Sequence, residues 1–212
     1  MQRKGVIFDL DGVICFTDQY HYQAWKKLAD RLGIYFDEEI NNRLRGVSRM
    51  ASLDIILERA EKTYTEEEKL SFATEKNETY RELLGNMTPA DMTDEVRDTL
   101  HELRNRGYKL AIGSSSKNTK FILERLGVPD FFDAISDGTN ITHSKPDPEV
   151  FLMAADFIDL KPEACLVVED AVAGIQAAAA GGFESAGLGE AAGYEKCTYP
   201  MKSFKDLLDI CK

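Results

Sequence analysis

Two aspartates, Asp9 and Asp11, stand two residues apart at the end of the apolar run Val6-Ile7-Phe8, with Gly12 immediately after them. Such a run reads as a strand buried on both faces. Both carboxylates then fall at or just past its carboxyl end, the edge where open α/β sheets bind ligands. Carboxylates crowded in this way call for a cation; the plainer alternative is that one caps the next helix and the other is solvated. Three further stretches place polar groups at equivalent points. Gly113-Ser114-Ser115-Ser116-Lys117-Asn118 follows an apolar run and precedes a helical one, so its hydroxyls and free amides suit an anion, with charge added by Lys117. The alternative there is a Ser/Asn loop with an N-cap. Ser144-Lys145-Pro146-Asp147-Pro148 fixes the backbone around one lysine at a helix start, either a solvated surface group or a cation aimed at phosphate and carboxylate. Leu166-Val167-Val168-Glu169-Asp170 repeats the strand-then-carboxylate logic; its acids are oxygen ligands for a hard ion such as Mg²⁺, or Asp170 is a helix cap. In joint order these stretches assemble a nucleophile, an acid/base group, a phosphate cradle and a metal site.

The elements that must position these groups follow from periodicity. Between Thr17 and about Leu84 the pattern is helical. Asp18 is expected to cap a first helix bearing Ala24, Trp25, Leu28 and Leu32, stopped by Gly33. A second helix is expected from Asp37 to Leu44, and a third, capped by Ser48, with Leu53, Ile56, Leu57 and Ala60 on one face. Thr65-Glu66-Glu67-Glu68 reads as a capping box opening a long charged helix to Leu84. After Pro89, strands (Tyr108–Gly113, Phe132–Ser136, Leu166–Val168, Ser185–Leu188) alternate with helices that begin near Thr93, Asn118, Glu149, Ala171 and Phe204. Alternation of this kind predicts a parallel sheet with right-handed crossovers. The expected fold is therefore α/β: a Rossmann-like parallel core of residues 1–14 and 90–212, with an inserted all-helical cap domain, 15–89. Hinges are expected near Ile14 to Thr17 and Asn86 to Asp91.

Composition narrows the partners. The chain has 212 residues and a net charge of −11, which argues against nucleic acid and anionic membranes as partners and leaves phosphate recognition to local lysines and arginines. No run is long enough to span a bilayer and no signal peptide is evident, so a cytoplasmic location is expected. Cys15, Cys165, Cys197 and Cys211 have no CxxC spacing and read as reduced and structural. His101 and His143 read as surface residues without partners.

The four motifs, Asp9-Leu10-Asp11-Gly12, Ser114, Lys145 and Glu169-Asp170, resemble those of the haloacid dehalogenase superfamily of phosphotransferases over nearly the whole chain. The cap narrows the resemblance. Thr17, Tyr20-His21-Tyr22-Gln23-Ala24-Trp25, Leu44-Arg45-Gly46-Val47-Ser48-Arg49, Lys76-Asn77 and Ser114 to Asn118 are similar to the pattern of its β-phosphoglucomutase branch. The resemblance implies that Asp9 is the nucleophile and Asp11 the general acid/base. One Mg²⁺ would be held by Asp9, the main-chain carbonyl of Asp11 and Asp170, with Glu169 close by. Ser114 and Lys145 would hold the transferring phosphate. Arg49, Ser116, Lys117 and Asn118 would hold the second phosphate, with Ser115 in the same loop. His21, Trp25, Ser52 and Lys76 would line the closed cap together with Thr17, Gly46, Val47 and Ser48. The implied partner is a small-molecule sugar phosphate on a monomeric enzyme, with glucose 1,6-bisphosphate as intermediate. Two residues depart from the pattern: Phe16 stands where an acidic residue is common, and Ser115 where a smaller one is. The rival readings are a capped sugar-phosphate or phosphoglycolate phosphatase and a non-catalytic phosphate- or sugar-binding module.

Overall fold

The structure is a computed structural model that describes residues 3–44 and 47–212. In chain order its elements are β1 (Gly5–Phe8), α1 (Asp18–Leu32), α2 (Glu38–Asn42), α3 (Arg49–Leu57) and α4 (Glu66–Leu84); then α5 (Asp94–Asn105), β2 (Lys109–Gly113), α6 (Thr119–Arg125), β3 (Ala134–Ser136) and α7 (Glu149–Phe157); and finally β4 (Cys165–Glu169), α8 (Val172–Ala180), β5 (Glu184–Gly187), β6 (Tyr199–Pro200) and α9 (Leu207–Ile210). The strands form one parallel sheet in the order β3-β2-β1-β4-β5-β6. The order reverses direction on either side of β1, which puts Asp9 at a topological switch point.

Strand residues alternate between two cores, as the pleat requires. Val6, Phe8, Leu110, Ile112, Leu166 and Val168 face α5, α6 and the C-terminal Phe204 and Leu207. Ile7, Ala111 and Val167 face Val150, Phe151 and Ala154 of α7 and Ala177 and Ala178 of α8. The alanine-rich α8 fits because small side chains let a helix lie close to the sheet. The inserted helices have a core of their own, with Trp25, Leu28, Phe36, Ile40, Leu53 and Ile56 at its centre. The insert is not detached, however. Ala24, Tyr80, Leu84 and Met87 are buried in the cluster on the β1 face of the sheet, so the base of the insert and the core share one apolar seam.

Several boundaries differ from the sequence expectation. Asp18 is the first residue of α1, and Thr17 takes the cap position without capping with its side chain. The second helix is shorter, because Arg43 already bonds back to Ile40 and Leu44 to Asn41 in a turn. The Ser48 cap and the Thr65/Glu68 capping box are present as expected. The N-cap of α8 is Ala171 rather than Asp170. A two-residue sixth strand went unforeseen, since Tyr199–Pro200 is too short to show a period and carries a proline, which suits a sheet edge. No helix among the described residues is long and apolar enough to cross a membrane.

The shared seam makes a direct prediction. Leu84→Ala removes a fully buried side chain at the junction of insert and core and should cost about 2–5 kcal/mol in denaturant unfolding; a loss below about 1 kcal/mol would mean the seam contributes little.

Candidate active site

The parallel register sets the site. Phe8 lies between Ile112 and Val168, so the residues just beyond β1, β2 and β4 emerge side by side. The Asp9 amide donates to the Val168 carbonyl (2.9 Å), and the Ser114 amide to the Ser136 carbonyl (3.0 Å). Lys145, from the turn that leads into α7, reaches across the strand ends. Its ammonium donates to Asp9 and, at 2.6 Å, to Oε1 of Glu169, and it sits 4.7 Å from the centre of the Phe151 ring. Asp9, Lys145 and Glu169 are all at least nine-tenths buried. Burial alone would lower Lys145, but Asp9 and Glu169 outweigh it and hold the ammonium above the ordinary lysine range. Asp9 moves the other way from a normal surface carboxylate: burial raises it, against the pull of Lys145, and Glu169, Asp170 and Asp11 raise it further.

Asp9, Glu169 and Asp170 bring carboxylate oxygens within 4.8 Å of one another. Glu169 is already engaged, with Oε1 on Lys145 and Oε2 on the amides of Asp170 and Ala171 (2.9 Å each). Asp9 also accepts from the Lys145 ammonium. Two glycines make the arrangement possible. Gly12 has φ +87°, and a Cβ there would fall 2.1 Å from Oδ2 of Asp170; a Cβ on Gly174 would fall 1.9 Å from Oε1 of Glu169. Three gathered carboxylates with all-oxygen donors, and space kept by Gly12, fit a hard divalent ion. The Asp11 carboxylate stands outside this trio. It accepts from the Thr17 hydroxyl, and burial raises it while that hydrogen bond lowers it. Thr17 was expected at the substrate; it is instead fully buried behind Asp11 and fixes that carboxylate.

The facing wall comes from the insert, and the cleft between them measures about 1110 Å³, above the ~300 Å³ lower end of ligand pockets. Its cap side presents Arg49 and Lys76, and His21, Trp25, Val47, Ser48 and Ser52 also line it. Gly46 lies outside the described residues. Lys76 is 3% exposed, 2.9 Å from Nδ1 of His21 and within 4.6 Å of the Trp25 and Tyr80 ring centres. Burial, then Arg49, lowers Lys76 to about 7. His21 falls well below its usual value through burial, then Lys76 and Arg49. Trp25 and Ser52 are buried as well as lining the cleft, and the Ser48 hydroxyl caps α3 by accepting from Ala51. Among the described residues no carboxylate pairs with Arg49 or Lys76. The cleft thus has an acidic pole on the sheet and a cationic pole on the cap.

These findings match a known architecture. The haloacid dehalogenase-like hydrolase family matches residues 3–182. The chain is 43% identical over 189 residues to the β-phosphoglucomutase of Bacillus subtilis, covering 88% of this chain and 84% of that one. It is 31% identical over 184 residues to a phosphorylated carbohydrates phosphatase of Thermotoga maritima, covering 85% and 82%. A crystal structure of β-phosphoglucomutase from Clostridium difficile superposes with a TM-score of 0.91 at 39% identity, over 97% of this chain and 93% of that one. The chain belongs to the haloacid dehalogenase-like family. Membership implies a Mg²⁺-dependent enzyme, in keeping with the oxygen set at Asp9 and Asp170.

Within that family site, the loop after β2 departs from the expectation in detail. Ser115, Ser116, Lys117 and Asn118 line the cleft with Ser114. Two loop amides are already used, Ser116 on Oγ of Ser114 and Asn118 on Oγ of Ser116 (3.2 Å each), so the amides of Ser115 and Lys117 remain for an anion. Oγ of Ser115 is buried with no partner. Asn77 and Arg81 of α4 engage the Asn118 carboxamide at both ends, which leaves one of its two Nδ2 N–H donors for a phosphate. Sequence reasoning passed over Asn41, which lines the cleft at 9% exposure; an asparagine in a short helix carries no pattern that would single it out. His143, expected to be without a partner, is exposed but pairs with Glu149 at 3.1 Å, and His101 packs edge-on against Phe131.

Lys76 supplies a pH test. Unfolded chain protonates this lysine at its ordinary value of 10.5, and the native state only below about 7. Native burial of the charge therefore costs most below pH 7, and the cost fades as pH climbs toward 10.5. Lys76→Met should raise Tm most at pH 6–7, with the gain shrinking toward pH 10; a gain that is constant with pH would show that Lys76 titrates normally.

Proposed function

We propose that the protein is a β-phosphoglucomutase, interconverting β-D-glucose 1-phosphate and β-D-glucose 6-phosphate. The observation that carries the reading is the cationic pole of the cap, Arg49 and Lys76, facing the carboxylates across one cleft. A hydrolase needs to hold one phosphate; a mutase must hold a second while the first is transferred. The likeness to the Bacillus subtilis and Clostridium difficile enzymes supports the same choice.

In this mechanism Asp9 attacks phosphorus in line and becomes an aspartyl phosphate. Asp11 gives its proton to the departing sugar oxygen, then takes one from the hydroxyl that receives the phosphoryl group in the second transfer. Its raised pKa suits the first role, and Thr17 keeps the carboxyl aimed. Lys145, charged and fixed by Glu169, reduces the repulsion between Asp9 and the incoming phosphate oxygens. Bound Mg²⁺, held by Asp9, Asp170 and the Asp11 main-chain carbonyl, would add neutralisation of phosphate charge at the same place. Ser114 and Lys145 hold the transferring phosphate, and Arg49, Ser116 and Lys117 the other. β-Glucose 1,6-bisphosphate is the intermediate: it forms when the sugar hydroxyl takes the phosphoryl group from the aspartyl phosphate, and it turns end for end before Asp9 attacks its other phosphate. His21 orients Lys76, while Trp25 and Ser52 shape the cap wall. A phosphate clamped by Arg49 brings the cap over the site and favours sugar over water as acceptor. A phosphatase reading is favoured by the Thermotoga maritima relative.

The two readings separate by product. With Mg²⁺, β-glucose 1-phosphate and a trace of β-glucose 1,6-bisphosphate, glucose 6-phosphate should accumulate without matching release of free phosphate. Arg49→Ala should lower kcat/KM by about two orders of magnitude, in the range of a lost buried charge contact. Free phosphate as the main product, with Arg49→Ala unimpaired, would establish the phosphatase instead.

A further inference from the structure

Asn118 ends the phosphate loop and is 4% exposed, yet both ends of its carboxamide are held from α4. Arg81 of α4 donates to its Oδ1 at 3.1 Å, and its own Nδ2 donates to Oδ1 of Asn77 at 2.9 Å. An arginine can only donate, so it fixes which end of the Asn118 amide is the oxygen, and Asn77 must then accept. Asn77 and Arg81 are four residues apart and share one face of α4. The Arg81 guanidinium also lies 4.6 Å from the centre of the Phe121 ring on α6, so it is held on the core side. Immediately before Asn77, on the same helix, comes Lys76, whose ammonium belongs to the cationic pole of the cleft. One helix therefore carries both a cleft cation and the grip on the loop whose Ser116 and Lys117 face it.

We propose that Asn77 and Arg81 are positioning residues: through Asn118 they set the phosphate loop relative to the cap, so that the site for the second phosphate is complete only when α4 is docked. The inference rests on the mutase reading for the identity of that phosphate, but the geometry concerns the loop alone. Asn77 and Arg81 need touch no substrate. Their effect passes through the Asn118 side chain to the amides and hydroxyls beside it.

The hydrogen-bond directions give an asymmetric test. Asn77→Leu loses the acceptor at similar size, whereas Asn77→Asp keeps it. KM and kcat are measured for β-glucose 1-phosphate, and in parallel for hydrolysis of acetyl phosphate, a donor with no second site to fill. Asn77→Leu should raise KM for the sugar phosphate about tenfold, as expected for one buried hydrogen bond, and change acetyl phosphate hydrolysis by less than about twofold. Asn77→Asp should restore most of the loss. Arg81→Leu, on an exposed side chain that folding tolerates, should raise the same KM by about threefold or more, and Arg81→Lys by less. Equal behaviour of Asn77→Leu and Asn77→Asp, an unchanged KM in Asn77→Leu and Arg81→Leu, or a parallel fall in both reactions, would overturn the proposal; the last would mark a merely structural contact. If the parent enzyme releases phosphate and makes no glucose 6-phosphate, the mutase reading fails separately, and the same comparison of sugar phosphate with acetyl phosphate still decides the role of Asn77 and Arg81.

Discussion

The buried ammonium of Lys145 lies between the carboxylates of Asp9 and Glu169, and the rest of the site is arranged around that contact. Taking three charges out of water is costly, and their mutual attraction offsets the cost only with good geometry and further hydrogen bonds. The fold supplies both. Parallel pairing of β1 and β4 sets Asp9 and Glu169 side by side, Glu169 is fixed by two main-chain amides, and Phe151 walls the lysine from the side. With Asp170, the cluster gathers carboxylate oxygens at one point, a donor set that suits a hard cation. It also pins Asp9, so that as the proposed nucleophile Asp9 need not reorganise when phosphate arrives.

In the proposed mechanism the cap gives the cluster its selectivity. Among the described residues no carboxylate pairs with Arg49 or Lys76, and burial lowers both from their ordinary values. A phosphate dianion would offset that burial cost. In the proposed reaction a doubly phosphorylated sugar, one phosphate to each pole, would neutralise both poles at once. The apolar seam through Tyr80, Leu84 and Met87 keeps the cap attached at its base, and the Asn77–Asn118–Arg81 contact fastens it again beside the phosphate loop.

Much of this was legible in the sequence, for physical reasons that differ by element. The strands were readable because parallel strands are buried on both faces and appear as short apolar runs, and the acids that follow β1 and β4 stood out because charge rarely ends such a run without purpose. Helix starts at Ser48, Thr65 and Thr93 were legible because capping is a local interaction. Thr17 looked like a substrate contact and proved to be a buried support for Asp11; nothing local distinguishes a threonine that faces a ligand from one that faces a carboxylate. Asn118 and Arg81 are separated by 37 residues, so their contact is a product of docking α4 on the core and leaves no periodic trace. The same holds for the shielding of Lys76, which requires Trp25, Tyr80 and His21 to converge from two helices.

The central claim, that Asp9 beside Lys145 and Asp170 forms a preassembled seat for a phosphoryl group with Mg²⁺, is tested most directly by binding a stable imitation of the aspartyl phosphate. Beryllium fluoride with Mg²⁺ should raise Tm of the native protein by several degrees, as for any ligand far above its Kd, and should leave Tm of Asp9→Asn unmoved. An equal rise in both proteins, or none in either, would contradict the account.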